Sequence, residues 1–147
     1  MKEKLLAYTI LAVEARMQAS WTAMQAAQAS ANEEGKSSAG DKYETARAMG
    51  QLDREMHGKQ YARAQQERAL LGRINLKDQF SKVNFGALVE ASSGWFFVAV
   101  SVGSVQVDGQ NVVVISPQAP IGQLLVGKSV NDTFAFGGKT ERIIGVY

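Results

Sequence analysis

Two acidic residues, Asp41 and Glu44, lie in a segment that is crowded with turn-forming residues. Carboxylates at the end of a rigid element can bind Mg²⁺, which prefers one or two carboxylates, several waters and phosphate oxygens. The spacing also has a purely structural explanation, because an Asp at the N-cap and a Glu three residues later form a capping box. Ser38 could cap the same helix with Asp41 as its partner. The segment therefore predicts either a metal-positioning pair or a capped helix start.

The composition of the 147-residue chain excludes several kinds of site. Cysteine is absent, which excludes disulfides, thiolate metal sites and cysteine nucleophiles, and the single His57 cannot build a histidine metal site. The net charge of +2 is too small to indicate a nucleic-acid binder. No apolar run suits a membrane span or a cleaved signal peptide, so we expect a soluble, cytoplasmic protein.

The residues that flank the acidic segment have the pattern of two long helices. Apolar or small residues of the first run recur with an unbroken 4-3-4-3 spacing, which predicts a coiled-coil seam: Leu6, Ile10, Val13, Met17, Ser20, Met24, Ala27 and Ala31. The return run, from Asp41 to about Ile74, has a poorer seam, which starts with Met49, Leu52 and Met56. It lapses at Gln60 and Ala64 and resumes at Leu71 and Ile74.

We therefore predict an antiparallel coiled-coil hairpin over residues 1–78, with its tip at 35–41. About thirty residues per arm at 1.5 Å each would make an arm of roughly 45 Å. A helix buried in a compact bundle is the alternative interpretation of the first run.

The pattern changes from helical to alternating after Phe80, which predicts strands in the second half of the chain. Asp108-Gly109 and Gly137-Gly138 are hairpin turn signals. Pro120 and Gly127 suit the first turn and the C-terminal cap of one short helix. Residues 79–147 are thus predicted to form a small antiparallel β domain with one short helix, and the fold class is α+β.

A helical hairpin followed by this β domain resembles the Gre family of bacterial transcript-cleavage factors. The most specific part of the resemblance is a C-terminal motif, in which the family has serine-proline-isoleucine, leucine, glycine-lysine and glycine-aspartate. This chain has Ala119-Pro120-Ile121, Leu125, Gly127-Lys128 and Asn131-Asp132 at those places, so it departs from the motif at Ala119 and Asn131.

The resemblance implies an FKBP-like C-terminal domain that docks on RNA polymerase, and a hairpin that reaches the active centre through the secondary channel. It implies that the chain, as a monomer and not an enzyme by itself, supplies acids that help to position a shared Mg²⁺ and a water for cleavage of backtracked RNA. The transcript is then an indirect partner, and no membrane is involved. The predicted docking residues are Pro120, Ile121, Gly122, Gly127, Lys128 and Asp132.

Two alignments of the tip remain open. Aligning Gly40-Asp41 with the family's glycine-aspartate puts the catalytic and metal-binding roles on Asp41 and Glu44. Aligning Tyr43 with the family's tyrosine puts Lys36 and Ala39 at the acidic positions and removes the chemistry.

Two alternative functions also remain. The chain could be a Gre-like regulator that occupies the secondary channel without promoting cleavage. It could instead be a coiled-coil holdase chaperone whose methionines contact varied apolar surfaces. Prolyl isomerase activity would rest on fold analogy alone.

Overall fold

A computed structural model describes the backbone of residues 1–34 and 40–147, and the side chains of residues 1–32 and 44–147. The helices are α1 (Lys2–Glu34), α2 (Gly40–Leu71) and α3 (Pro120–Leu125). The strands are β1 (Leu88–Ala91), β2 (Gly94–Val98), β3 (Gly103–Val107), β4 (Gln110–Ile115), β5 (Thr133–Phe136) and β6 (Lys139–Val146). The predicted α+β class is confirmed. No helix within the described ranges is both long and apolar enough to cross a bilayer.

The chain divides into two compact units. The hairpin unit is Val13–Arg68, and the sheet unit is Met1–Ala12 together with Ala69–Tyr147. The first three turns of α1 therefore belong to the same unit as the β-sheet. The boundary predicted between residues 78 and 79 falls in the segment that links α2 to β1.

Contacts inside the hairpin unit show that α1 and α2 run antiparallel. The Arg68 guanidinium donates from Nε to Glu14 Oε1 at 3.1 Å. Further along α1 and further back along α2, the rings of Trp21 and Tyr61 have their centroids 5.4 Å apart. From the first pair to the second, α1 advances by seven residues while α2 goes back by seven. The two helices therefore run antiparallel, and the predicted helical hairpin is confirmed.

The seam predicted for α1 is confirmed within the hairpin unit. Val13 and Ala31 are buried, and the seam positions between them are partly buried: Met17, Ser20, Met24 and Ala27. In the sheet unit the buried residues of α1 are instead Leu5 and Thr9.

The seam predicted for the first half of α2 is wrong. Its three large apolar side chains are 55%, 59% and 50% exposed: Met49, Leu52 and Met56. The partly buried positions lie one residue further along, at Gly50 and His57. A Cβ on Gly50 would lie 2.9 Å from the Cβ of Ala31. Small residues on both helices let the backbones approach closely, and this approach, rather than apolar bulk, selects the face of α2 that meets α1.

The six strands form one sheet in the order β3-β4-β2-β1-β6-β5. Four of the five neighbouring pairs are antiparallel, as predicted, but β2 and β4 pair parallel, so the sheet is mixed rather than purely antiparallel. The chain reverses direction on entering β3 and again at Asp108-Gly109, and two reversals give β4 the direction of β2. Asp108 and Gly109 have φ values of 51° and 76°, as the predicted two-residue hairpin turn requires.

The central strands β1, β2 and β4 are largely buried on both faces, whereas β3, β5 and β6 each have more exposed residues. One face carries the core cluster, to which the strands contribute Val89, Ala91, Phe96, Val98, Ile115, Phe134 and Ile143. Ile121 and Leu125 of α3 pack into the same cluster. Side chains alternate along a strand, so Leu88 and Phe97, which pair in register, point to the other face and are buried there. Trp95 shares that second face and stacks on Tyr147, with 6.1 Å between the ring centroids.

Candidate functional site

The predicted metal-positioning pair belongs to the start of α2. The helix begins at Gly40, so the backbones of Asp41 and Glu44 lie in its first turns, and the Glu44 side chain is exposed. A carboxylate near a helix N-terminus is stabilised by the helix dipole. The Asp41 side chain lies outside the described residues, and so do residues 35–39 of the predicted tip, including Lys36 and Ala39 of the other alignment.

The described part of this segment offers one carboxylate to a metal ion. Across the side chains of residues 1–32 and 44–147, no group of three or more His, Asp or Glu residues could hold a metal. Glu44 is exposed and provides the oxygen donors that Mg²⁺ takes. A single exposed carboxylate is not by itself a metal site, so the metal-positioning role of Asp41 and Glu44 stays a prediction.

The loop around α3 contains the predicted docking residues. Pro120 occupies the first turn of α3, and Ala119 at the N-cap position makes no side-chain hydrogen bond to the helix. The Ser116 hydroxyl oxygen accepts a hydrogen bond from the Ala119 backbone N–H at 3.1 Å. The helix therefore starts without the hydroxyl cap that a serine at position 119 could supply.

Two of the six predicted docking residues are buried. Ile121 is 8% exposed, and Gly122 is also buried against the core. A Cβ on Gly122 would overlap the Ser116 carbonyl oxygen, so no larger residue fits there without a shift of the backbone. These two residues hold α3 in place rather than present a surface. The other four predicted docking residues, Pro120, Gly127, Lys128 and Asp132, are exposed or partly exposed, and their role in docking stays a prediction.

The turn that follows α3 depends on two positive φ angles. Gly127 has a φ of 88° directly after the helix, and Asn131 has a φ of 75°. Asn tolerates this left-handed conformation better than most residues other than Gly. Asp132 closes the turn, because its Oδ2 accepts a hydrogen bond from the Ser129 backbone N–H at 2.7 Å.

A cleft of about 390 Å³ adjoins this turn, and the sequence pattern did not indicate it. Its walls include Phe80, Lys82, Asn84, Val126 and Gly127. The cleft brings together two segments that are distant in sequence, which is why local pattern could not reveal it. Val126 is 39% exposed at its edge.

Strands were expected directly after Phe80, but the segment before β1 is not a strand, because β1 begins only at Leu88. Val83 instead exchanges backbone hydrogen bonds with the turn after α3. The Gly127 N–H donates to the Val83 carbonyl, and the Val83 N–H donates to the Lys128 carbonyl, both at 2.8 Å. This pair of bonds supports the cleft and the turn together.

Two lysines of α1 interact within the sheet unit. Lys4 Nζ lies 2.6 Å from Asp108 Oδ1 in the β3–β4 turn. The hydrogen bond from Lys4 lowers the pKa of the Asp108 carboxyl and raises the pKa of Lys4 itself. Lys2 Nζ donates to the Tyr147 carbonyl at 3.2 Å and lies 4.7 Å from the centroid of the Phe80 ring. Burial lowers the pKa of Lys2, and the nearby Asp78 opposes that shift.

Comparisons with known proteins do not identify a family. No family model matches the chain, and a search of curated proteins finds no significant match. Among solved structures, the transcription factor Gfh1 is 15% identical, with 98% of this chain and 92% of that chain covered and a TM-score of 0.37. A similarity at this level assigns neither fold nor function, so both rest on the residues and contacts described above.

Proposed function

We propose that this protein is a Gre-like transcription elongation factor that binds RNA polymerase through its secondary channel and promotes cleavage of backtracked RNA. The hairpin fits this role because α1 has 33 residues and α2 has 32. At 1.5 Å per residue the full helices span about 50 Å, of which the part of α1 that lies in the hairpin unit, from Val13 to Glu34, accounts for about 33 Å. The acids that would take part in cleavage follow directly at the start of α2.

The observation that carries the proposal is the backbone conformation of Asn131. The family motif has glycine where this chain has Asn131, and the motif's other glycine corresponds to Gly127. Both positions have positive φ in this structure, at 75° and 88°. The departure at Asn131 therefore preserves the conformation that glycine would serve, and it supports the alignment of the motif with this turn.

In the proposed reaction, Asp41 and Glu44 act as ligands and as hydrogen-bond acceptors. The exposed Glu44 carboxylate can accept a hydrogen bond from an attacking water and hold its orientation. A shared Mg²⁺, when bound, supplies the Lewis acidity that makes water a better nucleophile. The reacting centre belongs to the polymerase, so the chain would have no nuclease activity by itself.

The test is RNA shortening in a stalled, backtracked polymerase complex with Mg²⁺. We expect the unmodified chain to promote shortening, and the double variant Asp41→Asn and Glu44→Gln to lose most of that effect while still binding polymerase. Asp53→Asn with Glu55→Gln is the matched control, because it removes two exposed acids further along the same helix.

The same assay distinguishes the possible outcomes. Equal shortening by the acid variant and the control would show that Asp41 and Glu44 are not the catalytic acids. Polymerase binding without any shortening would establish the non-cleaving regulator instead. Absence of polymerase binding in a pull-down would reject both forms of the proposal.

A second candidate, the holdase chaperone, is favoured by one observation. The exposed stripe on α2, formed by Met49, Leu52 and Met56, presents flexible apolar side chains to solvent. If the stripe binds unfolded clients, the chain should suppress their aggregation, and Met49→Gln with Met56→Gln should weaken the suppression. Met17→Gln is the control, because Met17 lies in the hairpin seam and is partly buried.

A further inference from the structure

A cavity of about 300 Å³ opens on the side of the hairpin unit. We call it the aromatic notch and define it by its five lining residues: Glu14, Met17, Gln18, Trp21 and Tyr61. Trp21 and Tyr61 have centroids 5.4 Å apart and planes inclined at 51°, so the two rings form a V rather than a closed stack. Trp21 is 40% exposed and the Glu14 side chain is 50% exposed, so both are within reach of a ligand in solution.

The chemistry of the lining suits a cation. The faces of Trp and Tyr rings carry negative partial charge and attract cations. The Glu14 carboxylate is an acceptor, the Gln18 amide can accept through its oxygen, and Met17 contributes a polarisable thioether. None of the five lining residues is cationic. The lining groups themselves complement a positive charge, and Arg68, a cation beside them, is paired with Glu14.

The form of the notch favours guanidinium over ammonium. A guanidinium group is planar, can stack on an aromatic ring and can donate two parallel hydrogen bonds to one carboxylate. Arg68 already shows this chemistry from within the chain, because its Nε donates to Glu14 Oε1 at 3.1 Å. Arg68 is not among the lining residues, so the ring faces are left to another group.

We infer that the aromatic notch binds an arginine side chain presented by a protein partner. The notch is small and open on the side of the hairpin, which suits one protruding side chain better than an enclosed small molecule. Trp and Tyr are also the residues that most often carry the binding energy of protein interfaces. The inference does not depend on polymerase binding or on the acids at the start of α2.

The test uses the fluorescence of Trp21 in a Trp95→Phe background, where Trp21 is the remaining one of the two tryptophans of the chain. N-acetylarginine amide is the probe, and N-acetylcitrulline amide, its neutral isostere, is the matched control. We expect a saturable change with the arginine probe at a dissociation constant on the order of 1–10 mM. The citrulline compound should give no saturable change.

Two substitutions distinguish arginine binding in the notch from effects of the adjoining Glu14–Arg68 ion pair. Glu14→Gln should weaken arginine binding about tenfold, because it removes the carboxylate charge. Arg68→Gln breaks the same ion pair from its other side and should tighten binding, since the carboxylate then has no competing guanidinium. Circular dichroism should show unchanged helix content in both variants.

The proposal is overturned if the arginine and citrulline compounds behave alike, or if Glu14→Gln and Arg68→Gln weaken binding equally. The second result would mean that the ion pair shapes the hairpin and that the rings do not select a cation. Tyr61→Leu provides an independent check on the rings, and it should reduce binding while Glu14 is intact. All of these measurements use the isolated chain, so they fail or succeed separately from the polymerase assays.

Discussion

The two units of this protein are stabilised in different ways. Among the described residues of the hairpin unit, the buried apolar side chains are Val13, Ala31 and Ala64. The sheet unit buries many more, including Phe97, Leu125 and Ile143, each with essentially no exposure. Burial of one large apolar side chain contributes about 1.5–3 kcal/mol, so the sheet unit has far more hydrophobic stabilisation per residue.

The hairpin depends instead on close backbone approach and on pairs at its surface. Ala31 opposite Gly50 permits that approach, but two residues this small bury little area. The ion pairs Glu14–Arg68 and Arg16–Glu67 involve partly exposed side chains, and such pairs typically contribute about 0–1 kcal/mol. The hairpin unit, which we propose enters the secondary channel, thus has the smaller core. The sheet unit, which we propose docks on the polymerase, has the larger one.

The largest expected effect is the difference between core truncations in the two units. Phe97→Ala should lower the free energy of unfolding of the sheet unit by about 3–5 kcal/mol, because it leaves a cavity in a buried sheet face. Met17→Ala should cost only about 1 kcal/mol, since Met17 is partly buried. Urea denaturation with Trp21 or Trp95 as the only tryptophan reports each unit separately. Equal decreases in the free energy of unfolding for Phe97→Ala and Met17→Ala would contradict the contrast between the units.

A second comparison uses one helical glycine from each unit. Gly122→Ala should destabilise the sheet unit by about 1–3 kcal/mol or more, because the added Cβ meets the backbone of Ser116. Gly58→Ala should stabilise the hairpin by up to about 1 kcal/mol, since its Cβ would meet only the Met24 sulfur at an ordinary 3.6 Å. Thermal melting of both variants checks that the two melting temperatures shift in opposite directions. A stabilising Gly122→Ala would show that the Ser116 backbone moves at little energetic cost.

A smaller effect is expected at the start of α3. Ala119→Ser should raise the free energy of unfolding by about 1 kcal/mol, because the hydroxyl can accept a hydrogen bond from a free N–H of the first turn. Ser116→Ala is the complementary variant, since it removes the oxygen that accepts from the Ala119 N–H. If Ala119→Ser were neutral in chemical denaturation, the cap would already be satisfied in another way.

The smallest expected effect is a pH dependence in the sheet unit. The Asp108 pKa lies below its ordinary value of 3.8 because of the hydrogen bond from Lys4. The pair therefore stabilises the fold above that ordinary value, and the contribution is lost as the pH falls through the lowered pKa. Asp108→Asn keeps a residue that tolerates positive φ and removes the charge.

Melting temperatures as a function of pH check this prediction. The unmodified chain should melt slightly above Asp108→Asn at neutral pH, and the two should converge in acid. Added salt should also reduce the difference, because both side chains are exposed. A difference that persisted in strong acid would have a cause other than the ion pair.

Much of the fold follows from local signals in the sequence. Asp108-Gly109 and Gly137-Gly138 have the positive φ values that two-residue hairpins need, and glycine supplies them without strain. Pro120 and Gly127 likewise mark the two ends of α3. These features were predictable because each depends on the conformational preference of one or two residues.

Tertiary structure decided the features that depend on a partner segment. The parallel pairing of β2 with β4 and the cleft beside Gly127 bring together parts of the chain that no local pattern relates. The choice of Gly50 over Met49 as the contact of α2 has the same origin. Apolar spacing identifies the possible faces of a helix, but the surface of the opposing helix selects among them, because close packing depends on the shapes of both.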